Sequence, residues 1–246
     1  MGKSRHVFVT GGGRGIGEAV AIKFAQTGNF VTVSDLDSER AQAVTDSINM
    51  KINVNSANSV IGNVSLRKDV VRMFEEATKI AGPVEVLVNC AGIYPSNSIT
   101  EITDEEWDKV MNINLRGTFL CSQIAVKGMI PQKKGWIVNM ASVDGLSPGP
   151  NNCVYSASKA GVVSITRSFA SEFTALGIRI NAVAPGWVGT PNIYINDRWK
   201  EAVKKIPIGR LAEPTEIAEV ISFLCSDEGY YIAGEVINVN GGMFMN

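Results

Sequence analysis

The stretch HVFVTGGGRGIG, residues 6–17, decides the fold that the sequence predicts. Its first half is an apolar, β-branched run typical of a buried strand, and its second half is a glycine-rich turn that opens a helical segment. Gly11, Gly15 and Gly17 permit a tight turn and let the backbone come close to a ligand. The N–H groups and dipole of the following helix favour a pyrophosphate there. The spacing is GxxxGxG, which departs from the common dinucleotide pattern GxGxxG.

Segments of these two kinds alternate along the rest of the chain. Further apolar runs typical of strands occupy residues 30–34, 59–63, 84–89, 136–142, 178–184 and 235–240. Segments with helical spacing occupy residues 16–27, 38–49, 66–80, 104–129, 157–176 and 214–224. This alternation predicts an α/β fold: one Rossmann-like domain over residues 1–246, with a doubly wound parallel sheet and helices on both faces. The irregular stretch 186–209 is expected to form a lid over the substrate.

The composition disfavours several classes of function. A formal net charge of -1 over 246 residues gives no basic surface for nucleic acid or an anionic membrane. The cysteines are widely spaced and accompanied by a single histidine, so neither a metal site nor a disulfide framework is expected. No apolar run approaches the length of about 18 residues that spans a bilayer. We expect a soluble, cytoplasmic protein whose partner is a small molecule.

Asp35, at the end of the second predicted strand, bears on the choice of cofactor. A carboxylate there can accept hydrogen bonds from the ribose hydroxyls of adenosine and would repel a 2′-phosphate. Arg14, inside the glycine turn, would attract the same phosphate. We expect Asp35 to prevail because it meets the ribose directly, so the sequence predicts NAD rather than NADP. Asp37 is expected to begin a helix.

Tyr155 and Lys159, in CVYSASKAG (residues 153–161), are four positions apart and share one face of a predicted helix. Reduction of a carbonyl group needs a hydride donor, a proton donor near the carbonyl oxygen and a group that holds this oxygen. Tyrosine can donate the proton only if its pKa lies well below about 10. A lysine ammonium one turn away and a positive nicotinamide ring would lower that pKa. In isolation, such a pair is more often a buried ring and a solvated amine.

Polar residues elsewhere strengthen the hypothesis of a site. Ser142 ends the strand WIVNMAS, at the edge where open parallel sheets bind ligands, and its hydroxyl can hydrogen-bond a substrate oxygen. Asn114 lies in the preceding helical segment, where its side chain or main chain can hold a water for proton relay. Thr190, in VAPGWVGT, can close on a nicotinamide amide. We expect these groups to meet Tyr155 at one site.

Together the motifs resemble those of the short-chain dehydrogenase/reductase family, from TGGGRGIG to the final VNVNGGMFMN. The resemblance rests on the order and spacing of TGGGRGIG, Asp35, NCAG (89–92), Asn114, Ser142, YSASK and PGWVGT. It implies a catalytic tetrad: Asn114, Ser142, Tyr155 and Lys159. In the family's pattern the tyrosine is the general acid/base and the serine orients the carbonyl. The lysine also bonds the nicotinamide ribose, and the asparagine anchors the relay water.

The resemblance also implies a cofactor site and an assembly. The residues expected to contact the dinucleotide are Gly11, Arg14, Gly15, Ile16, Gly17, Asp35, Leu36, Asn63, Val64, Asn89, Ala91, Gly92, Tyr155, Lys159, Pro185, Gly186, Val188 and Thr190. A homotetramer is expected. Two residues depart from the family's usual pattern: Cys90 replaces the second Asn of NNAG, and Asn63 replaces a more common Asp. We expect changed packing around Cys90 and no loss of activity.

The sequence constrains the substrate less than it constrains the reaction. The C-terminal half is similar to bacterial 3-oxoacyl-acyl-carrier-protein reductases, which generally use NADPH and dock an acidic carrier through basic residues. Lys133 can serve here, but Leu176 occupies a commonly basic position and Asp35 disfavours NADPH. We therefore predict an NAD(H)-dependent oxidoreductase that interconverts a secondary alcohol and a ketone on a small hydroxylated substrate, such as a polyol, sugar or hydroxy acid. Residues expected to line its pocket are Tyr94, Ser96, Asn97, Asp144, Asn151, Asn152, Trp187, Asn192 and Tyr194.

Three alternatives stay open. The first is a 3-oxoacyl-acyl-carrier-protein reductase that uses NADPH. The second is a non-catalytic dinucleotide-binding sensor or scaffold, against which the intact tetrad weighs. The third is an epimerase or lyase on the same fold, which the short C-terminal region disfavours.

Overall fold

Seven strands form one parallel sheet in the computed structural model, which describes residues 4–195 and 197–245 without the side chain of Arg198. The strands are His6–Thr10 (β1), Phe30–Asp35 (β2), Ala57–Ile61 (β3), Val86–Asn89 (β4), Gly135–Met140 (β5), Ile178–Pro185 (β6) and Val236–Val239 (β7). They lie in the order β3-β2-β1-β4-β5-β6-β7. The chain changes direction across the sheet between β1 and β4, and ligands of such sheets bind beside this point at the carboxyl edge.

Helices cover both faces of the sheet. They are Gly15–Gln26 (α1), Ser38–Lys51 (α2), Arg67–Ala81 (α3), Asp104–Val110 (α4), Gly117–Met129 (α5), Cys153–Phe173 (α6), Arg198–Val203 (α7) and Pro214–Leu224 (α8). Apolar residues of α1, α2 and α8 pack on one face, and those of α3, α5 and α6 pack on the other. This is the predicted doubly wound α/β architecture. Among the described residues, no helix has both the length and the apolar character needed to cross a bilayer.

The structure confirms most predicted elements, and several bounds move by one or two residues; β5, for example, ends at Met140, two residues before Ser142. Strand β3 is Ala57–Ile61 instead of 59–63, because the residues after Ile61 leave the sheet. The predicted helix 104–129 is interrupted by a π-helical turn over Met111–Arg116, which apolar spacing does not reveal. Helix α6 begins at Cys153 instead of residue 157, so Tyr155 lies in its first turn.

The stretch between β6 and α8 contains the predicted lid. It holds a 3-10 turn at Pro191–Ile195 and the short helix α7. Val188 forms a bridge with Ala212, which ties the start of the stretch to its end. The prediction left its structure open, and these short elements are stabilised by contacts with distant residues.

Candidate active site

Two adjoining cavities open at the carboxyl edge of the sheet. The first, here called the turn cavity, has a volume of about 610 Å³ and follows the glycine turn. The second, the tyrosine cavity, has a volume of about 470 Å³ and lies beside Tyr155. The two share a wall formed by Ile16, Cys90, Gly92, Ile93, Tyr94, Thr190 and Asn192. They therefore form one cleft with two ends.

Glycines shape the turn cavity. Gly11 and Gly15 have φ angles of 62° and 59°, which are strained for residues that carry a side chain. A Cβ atom on Gly17 would lie 2.1 Å from the carbonyl oxygen of Gly11, so no larger residue fits. The first-turn N–H groups of α1 have no partner within the helix, and the positive end of its dipole lies at the same place. The turn therefore has the shape and charge that a diphosphate requires.

Asp35 ends β2 at the wall of the turn cavity. Its carboxylate accepts hydrogen bonds from the N–H of Gly13 at 2.9 Å and from the N–H of Asp37 at 3.1 Å. Asp37 caps α2 by accepting from the N–H groups of Glu39 and Arg40, which confirms its predicted place at a helix start. These bonds hold a negative charge at the end of the cavity where the adenosine of a dinucleotide would lie.

Ser142, Tyr155 and Lys159 converge on the tyrosine cavity. Ser142 follows β5, and its hydroxyl hydrogen-bonds Tyr155. The buried Nζ atom of Lys159 donates to the carbonyl oxygen of Met140 at 2.7 Å and lies 5.7 Å from the centre of the Tyr155 ring. Ser142 from the end of β5 and two residues of α6, Tyr155 and Lys159, thus form a compact polar group at the cavity wall.

The pKa values at this wall correct one expectation. Burial raises the pKa of Tyr155 to about 12, while its hydrogen bond with Ser142 acts in the opposite direction. Burial also lowers the pKa of Lys159 to about 8. The expected lowering of the Tyr155 pKa is therefore wrong for the protein by itself, because desolvation favours the neutral form of both side chains.

The Asn114 side chain is hydrogen-bonded within the protein. It lies within the π-helical turn, fully buried, and its Oδ1 accepts from the N–H of Ile93 at 2.9 Å. Its Nδ2 donates to the carbonyl oxygen of Ile93 at 2.8 Å and to Ser158 Oγ at 3.1 Å. Both of its donor hydrogens are thus used within the protein. The side chain holds the loop after β4 against α6, while the main-chain carbonyl oxygen of Asn114 accepts from Thr118 Oγ1 at 2.7 Å.

Asn89, which was expected to contact the dinucleotide, does not line either cavity. Its side chain donates to Ser122 Oγ at 3.0 Å and to Asn139 Oδ1 at 2.8 Å, so it faces the core beneath α5 and away from the cleft.

Three of the residues expected in the substrate pocket also lie outside the cavity walls. Asn97 bonds Glu106, and neither Asn151 nor Tyr194 lines either cavity.

The remaining predicted residues line the cleft. Those of the turn cavity are Gly11, Arg14, Gly15, Ile16, Gly17, Asp35, Leu36, Asn63, Val64, Ala91, Gly92 and Thr190. Those of the tyrosine cavity are Ser142, Tyr155, Lys159, Pro185, Gly186, Val188, Tyr94, Ser96, Asp144, Asn152, Trp187 and Asn192.

Comparisons with known proteins agree with this geometry. A family model described as "Enoyl-(Acyl carrier protein) reductase" matches residues 11–244. The 3-oxoacyl-[acyl-carrier-protein] reductase FabG of Aquifex aeolicus is 40% identical over 238 residues, which cover 96% of each chain. The protein of the same name from Staphylococcus aureus strain Mu50 is 40% identical over 248 residues, 100% of each chain. The crystal structure of gox2181 has a TM-score of 0.94 at 33% identity and covers 98% of this chain and 96% of its own.

The chain belongs to the short-chain dehydrogenase/reductase family. Within this family's fold, the cleft also contains residues that the sequence patterns did not predict there. In the tyrosine cavity they are Cys90, Ile93, Met140, Ala141, Val143 and Ile193. In the turn cavity they are Ser34, Asp37, Arg40, Gly62, Ile113 and Pro191. Most of these residues are apolar or follow the end of a strand. Their position just after a strand end is the feature of the sequence that could have predicted them.

Cys90, the departure in the dehydrogenase/reductase motif NCAG, lines both cavities. Burial raises the pKa of its thiol to about 12, so the group is neutral and a poor nucleophile. Lys133 and Leu176 precede β5 and β6, respectively, which places both at the amino edge of the sheet, opposite the cleft. Within one chain, neither residue borders the cleft.

Proposed function

We propose that this short-chain dehydrogenase/reductase interconverts a ketone and a secondary alcohol with a nicotinamide dinucleotide. The observation that supports the proposal best is the convergence of Ser142, Tyr155 and Lys159 on a cavity continuous with the glycine turn. The chemistry needs a nucleotide site and a proton donor within reach of one substrate. A sensor or scaffold without catalysis would have no use for a tyrosine and a lysine buried at the cavity wall.

Each residue at the tyrosine cavity has a distinct task in this proposal. A bound dinucleotide would supply or accept the hydride. Ser142 donates a hydrogen bond to the substrate oxygen, and the Tyr155 hydroxyl gives that oxygen a proton during reduction and removes it during oxidation. Lys159 is positioned to stabilise negative charge on Tyr155. Asn114 positions the loop after β4 through its two bonds with Ile93.

NAD(H) is the cofactor we propose. The glycine cradle and the first-turn N–H groups of α1 suit a diphosphate. Asp35 holds a carboxylate at the adenosine end, where it suits two ribose hydroxyls and opposes a 2′-phosphate. Arg40, which lines the same cavity, pairs with Asp37 at 3.2 Å.

A 3-oxoacyl thioester is the substrate class that we propose first. The relatives that match the whole chain are named as reductases of 3-oxoacyl groups on acyl carrier protein. The tyrosine cavity of about 470 Å³ has the size of a small-molecule site, and Ile93, Met140 and Val143 give it apolar walls. These relatives therefore favour the acyl reductase over the hydroxylated substrate preferred from the sequence.

A small hydroxylated substrate is the second candidate. The carboxylate of Asp144 and the side chains of Ser96 and Asn152 line the same cavity. A substrate with hydroxyl groups can exchange hydrogen bonds with these side chains, whereas an acyl chain offers them neither a donor nor an acceptor. The observation that favours this candidate is the polar side of the cavity wall.

Initial rates with a panel of substrates test these proposals. The panel contains acetoacetyl-CoA, acetoacetyl-acyl-carrier protein, crotonyl-CoA, and polyols and their ketones, each with NADH or NADPH, or with NAD or NADP for the alcohols. We expect the acetoacetyl thioesters to give the highest kcat/KM, with NADH. Turnover restricted to the polyols would replace the acyl substrate by the second candidate. Nucleotide binding without any turnover would support a sensor.

Substitution of Asp35 tests the cofactor directly. Asp35→Ala should shift the ratio of NADH to NADPH affinity by at least about tenfold toward NADPH, because it removes the carboxylate at the adenosine end. Asp46→Asn on the exposed side of α2 is the matched control and should leave the ratio unchanged. An NADPH preference in the unmodified protein would overturn the proposed cofactor.

Self-association and cytoplasmic location are two further proposals. Tyr231 is fully exposed and Phe223 is 47% exposed, which leaves aromatic surface available beside α8. A homotetramer would bury such surface, and sedimentation velocity measures its mass directly. A monomer at micromolar concentration would contradict the proposed assembly. Cell fractionation tests the location.

A further inference from the structure

A hydrogen bond joins the glycine turn to the predicted lid. Arg14 Nη1 donates to Asn192 Oδ1 at 3.1 Å, although the two residues are 178 positions apart. Both side chains line the turn cavity, and Asn192 lines the tyrosine cavity as well. The bond therefore joins the turn cavity to a lid residue of the wall that the two cavities share.

A second contact lies beside this bridge. A Cβ atom on Gly15 would lie 3.1 Å from Thr190 Cγ2, so the lid rests directly on the glycine turn. Pro191, between Thr190 and Asn192, lines the turn cavity too. Three consecutive lid residues thus touch or border the turn, and the Arg14 bond is the polar contact among them.

The carboxylates of the turn cavity have partners other than Arg14. The carboxylate of Asp35 accepts from the backbone of Gly13 and Asp37, and Arg40 pairs with Asp37 at 3.2 Å. Arg14 lies next to Gly13 in the turn, where its guanidinium is a cation at the wall of the cavity that also holds Asp35. The guanidinium has five N–H donors and uses Nη1 on Asn192, and a phosphate at the Asp35 end of the cavity would draw this head group away from the lid.

We propose that Arg14 and Asn192 form a latch that holds the lid over the bound dinucleotide and contributes to the preference for NADH. With NADH, the guanidinium stays on Asn192 and the lid stays closed. With NADPH, the 2′-phosphate competes with Asn192 for Arg14, so binding of this cofactor loosens the lid. Asn192 is thereby a residue that determines cofactor specificity through Arg14. The inference rests on the proposed binding of a nicotinamide dinucleotide in the turn cavity.

Release rates of the reduced cofactors test the latch without turnover. Stopped-flow fluorescence gives the rate constant for NADH release, and equilibrium titration gives the dissociation constants of NADH and NADPH. Asn192→Ala should release NADH about fivefold faster and shift the affinity ratio toward NADPH by a similar factor, as expected for loss of one hydrogen bond to a charged group. Asn192→Asp should release NADH no faster than the unmodified protein, because the carboxylate accepts from Arg14 more strongly.

Two further variants separate the latch from general loosening of the lid. Ile195→Ala changes an exposed residue of the same turn that lines neither cavity, and it should leave both rates and affinities unchanged. Arg14→Ala should release NADH as fast as Asn192→Ala, and the double variant no faster, since both remove one bond.

The outcomes distinguish the latch from the cofactor proposal. Unchanged NADH release in Asn192→Ala, or additive effects in the double variant, would overturn the latch. Faster release with an unchanged affinity ratio would overturn the competition for Arg14. Failure of the unmodified protein to bind either nucleotide would instead overturn the proposed function.

Discussion

The two edges of the sheet bury ionisable side chains in different surroundings. At the carboxyl edge, Tyr155 and Lys159 lie at the wall of a cavity. At the amino edge, the buried ring of His6 donates from Nδ1 to the carbonyl oxygen of Gly82 at 2.7 Å, and its Nε2 lies 2.9 Å from Thr32 Oγ1. Burial is the largest cause of the pKa shift at all three residues.

The difference lies in which groups satisfy the polar atoms. Protein partners occupy both nitrogens of His6, so this side chain has no nitrogen left for a ligand. At the carboxyl edge, the hydroxyls of Ser142 and Tyr155 face open space that a substrate oxygen can fill. Burial of His6 therefore serves the packing of the fold. Burial of Tyr155 and Lys159 instead shifts the pKa values of groups that can react with a substrate. Substitution of Tyr155 should therefore change turnover, whereas substitution of His6 should change stability.

The largest effect is expected from Tyr155→Phe. Loss of the hydroxyl removes the proton donor, so kcat should fall by about 10³, within the range for general acid/base catalysis. The ring remains, so the dissociation constant of NADH should stay within about twofold. Steady-state rates and fluorescence titration measure the two quantities. Tyr230→Phe is the control, because its ring packs against Trp136 outside both cavities and the phenylalanine keeps that contact. Undiminished turnover in Tyr155→Phe would remove Tyr155 from the acid/base role.

Lys159→Met should change how stability depends on pH. Burial lowers the pKa of Lys159 from 10.5 to about 8. Between these values the unfolded chain binds a proton that the folded protein lacks, so the free energy of unfolding of the unmodified protein rises with pH by on the order of 3 kcal/mol. The methionine variant lacks this rise. Its stability relative to the unmodified protein should therefore be highest near pH 7 and fall toward pH 10.

Urea unfolding at pH 7, 8, 9 and 9.5 measures this change. The range stops below the window in which the raised pKa of Tyr155 would act, because that window lies above pH 10. Lys204→Met replaces an exposed lysine and should show a constant difference across the range. A constant difference for Lys159→Met as well would contradict the lowered pKa.

The smallest effect is expected at the amino edge, from His6→Asn. Burial lowers the pKa of His6 below its ordinary value of 6.5, while its bond with Gly82 and the charge of Glu85 act in the opposite direction. As the pH falls through 6.5, the unfolded chain gains a proton before the folded protein does, so stability decreases. Asparagine can keep a donor toward Gly82 but does not titrate. The Tm of the variant should vary less between pH 7.5 and 5, with activity unchanged at pH 7.5.

The outcome at His6 also sharpens the comparison of the edges. If His6→Asn lowers kcat at a pH where the variant is fully folded, the amino edge would contribute to catalysis. Equal pH dependence of Tm in both proteins would show that His6 titrates alike in the folded and unfolded states.

The sequence by itself determined the features that depend on short-range sterics and hydrogen bonding. These include the strand and helix alternation, the positive φ angles at Gly11 and Gly15, and the helix cap at Asp37. The spacing of Tyr155 and Lys159 on one helix face belongs to the same group. Each follows from a few neighbouring residues, so a linear pattern was enough to predict it.

Only the tertiary structure decided where polar side chains point and how their pKa values shift. Asn89 and Asn114 face partners in other elements, the π-helical turn interrupts a helix of regular spacing, and Arg14 meets Asn192 across the cleft. The raised pKa of Tyr155 has the same origin. Desolvation and side-chain bonding depend on atoms that are distant in sequence, and these come together only when the sheet and its helices assemble.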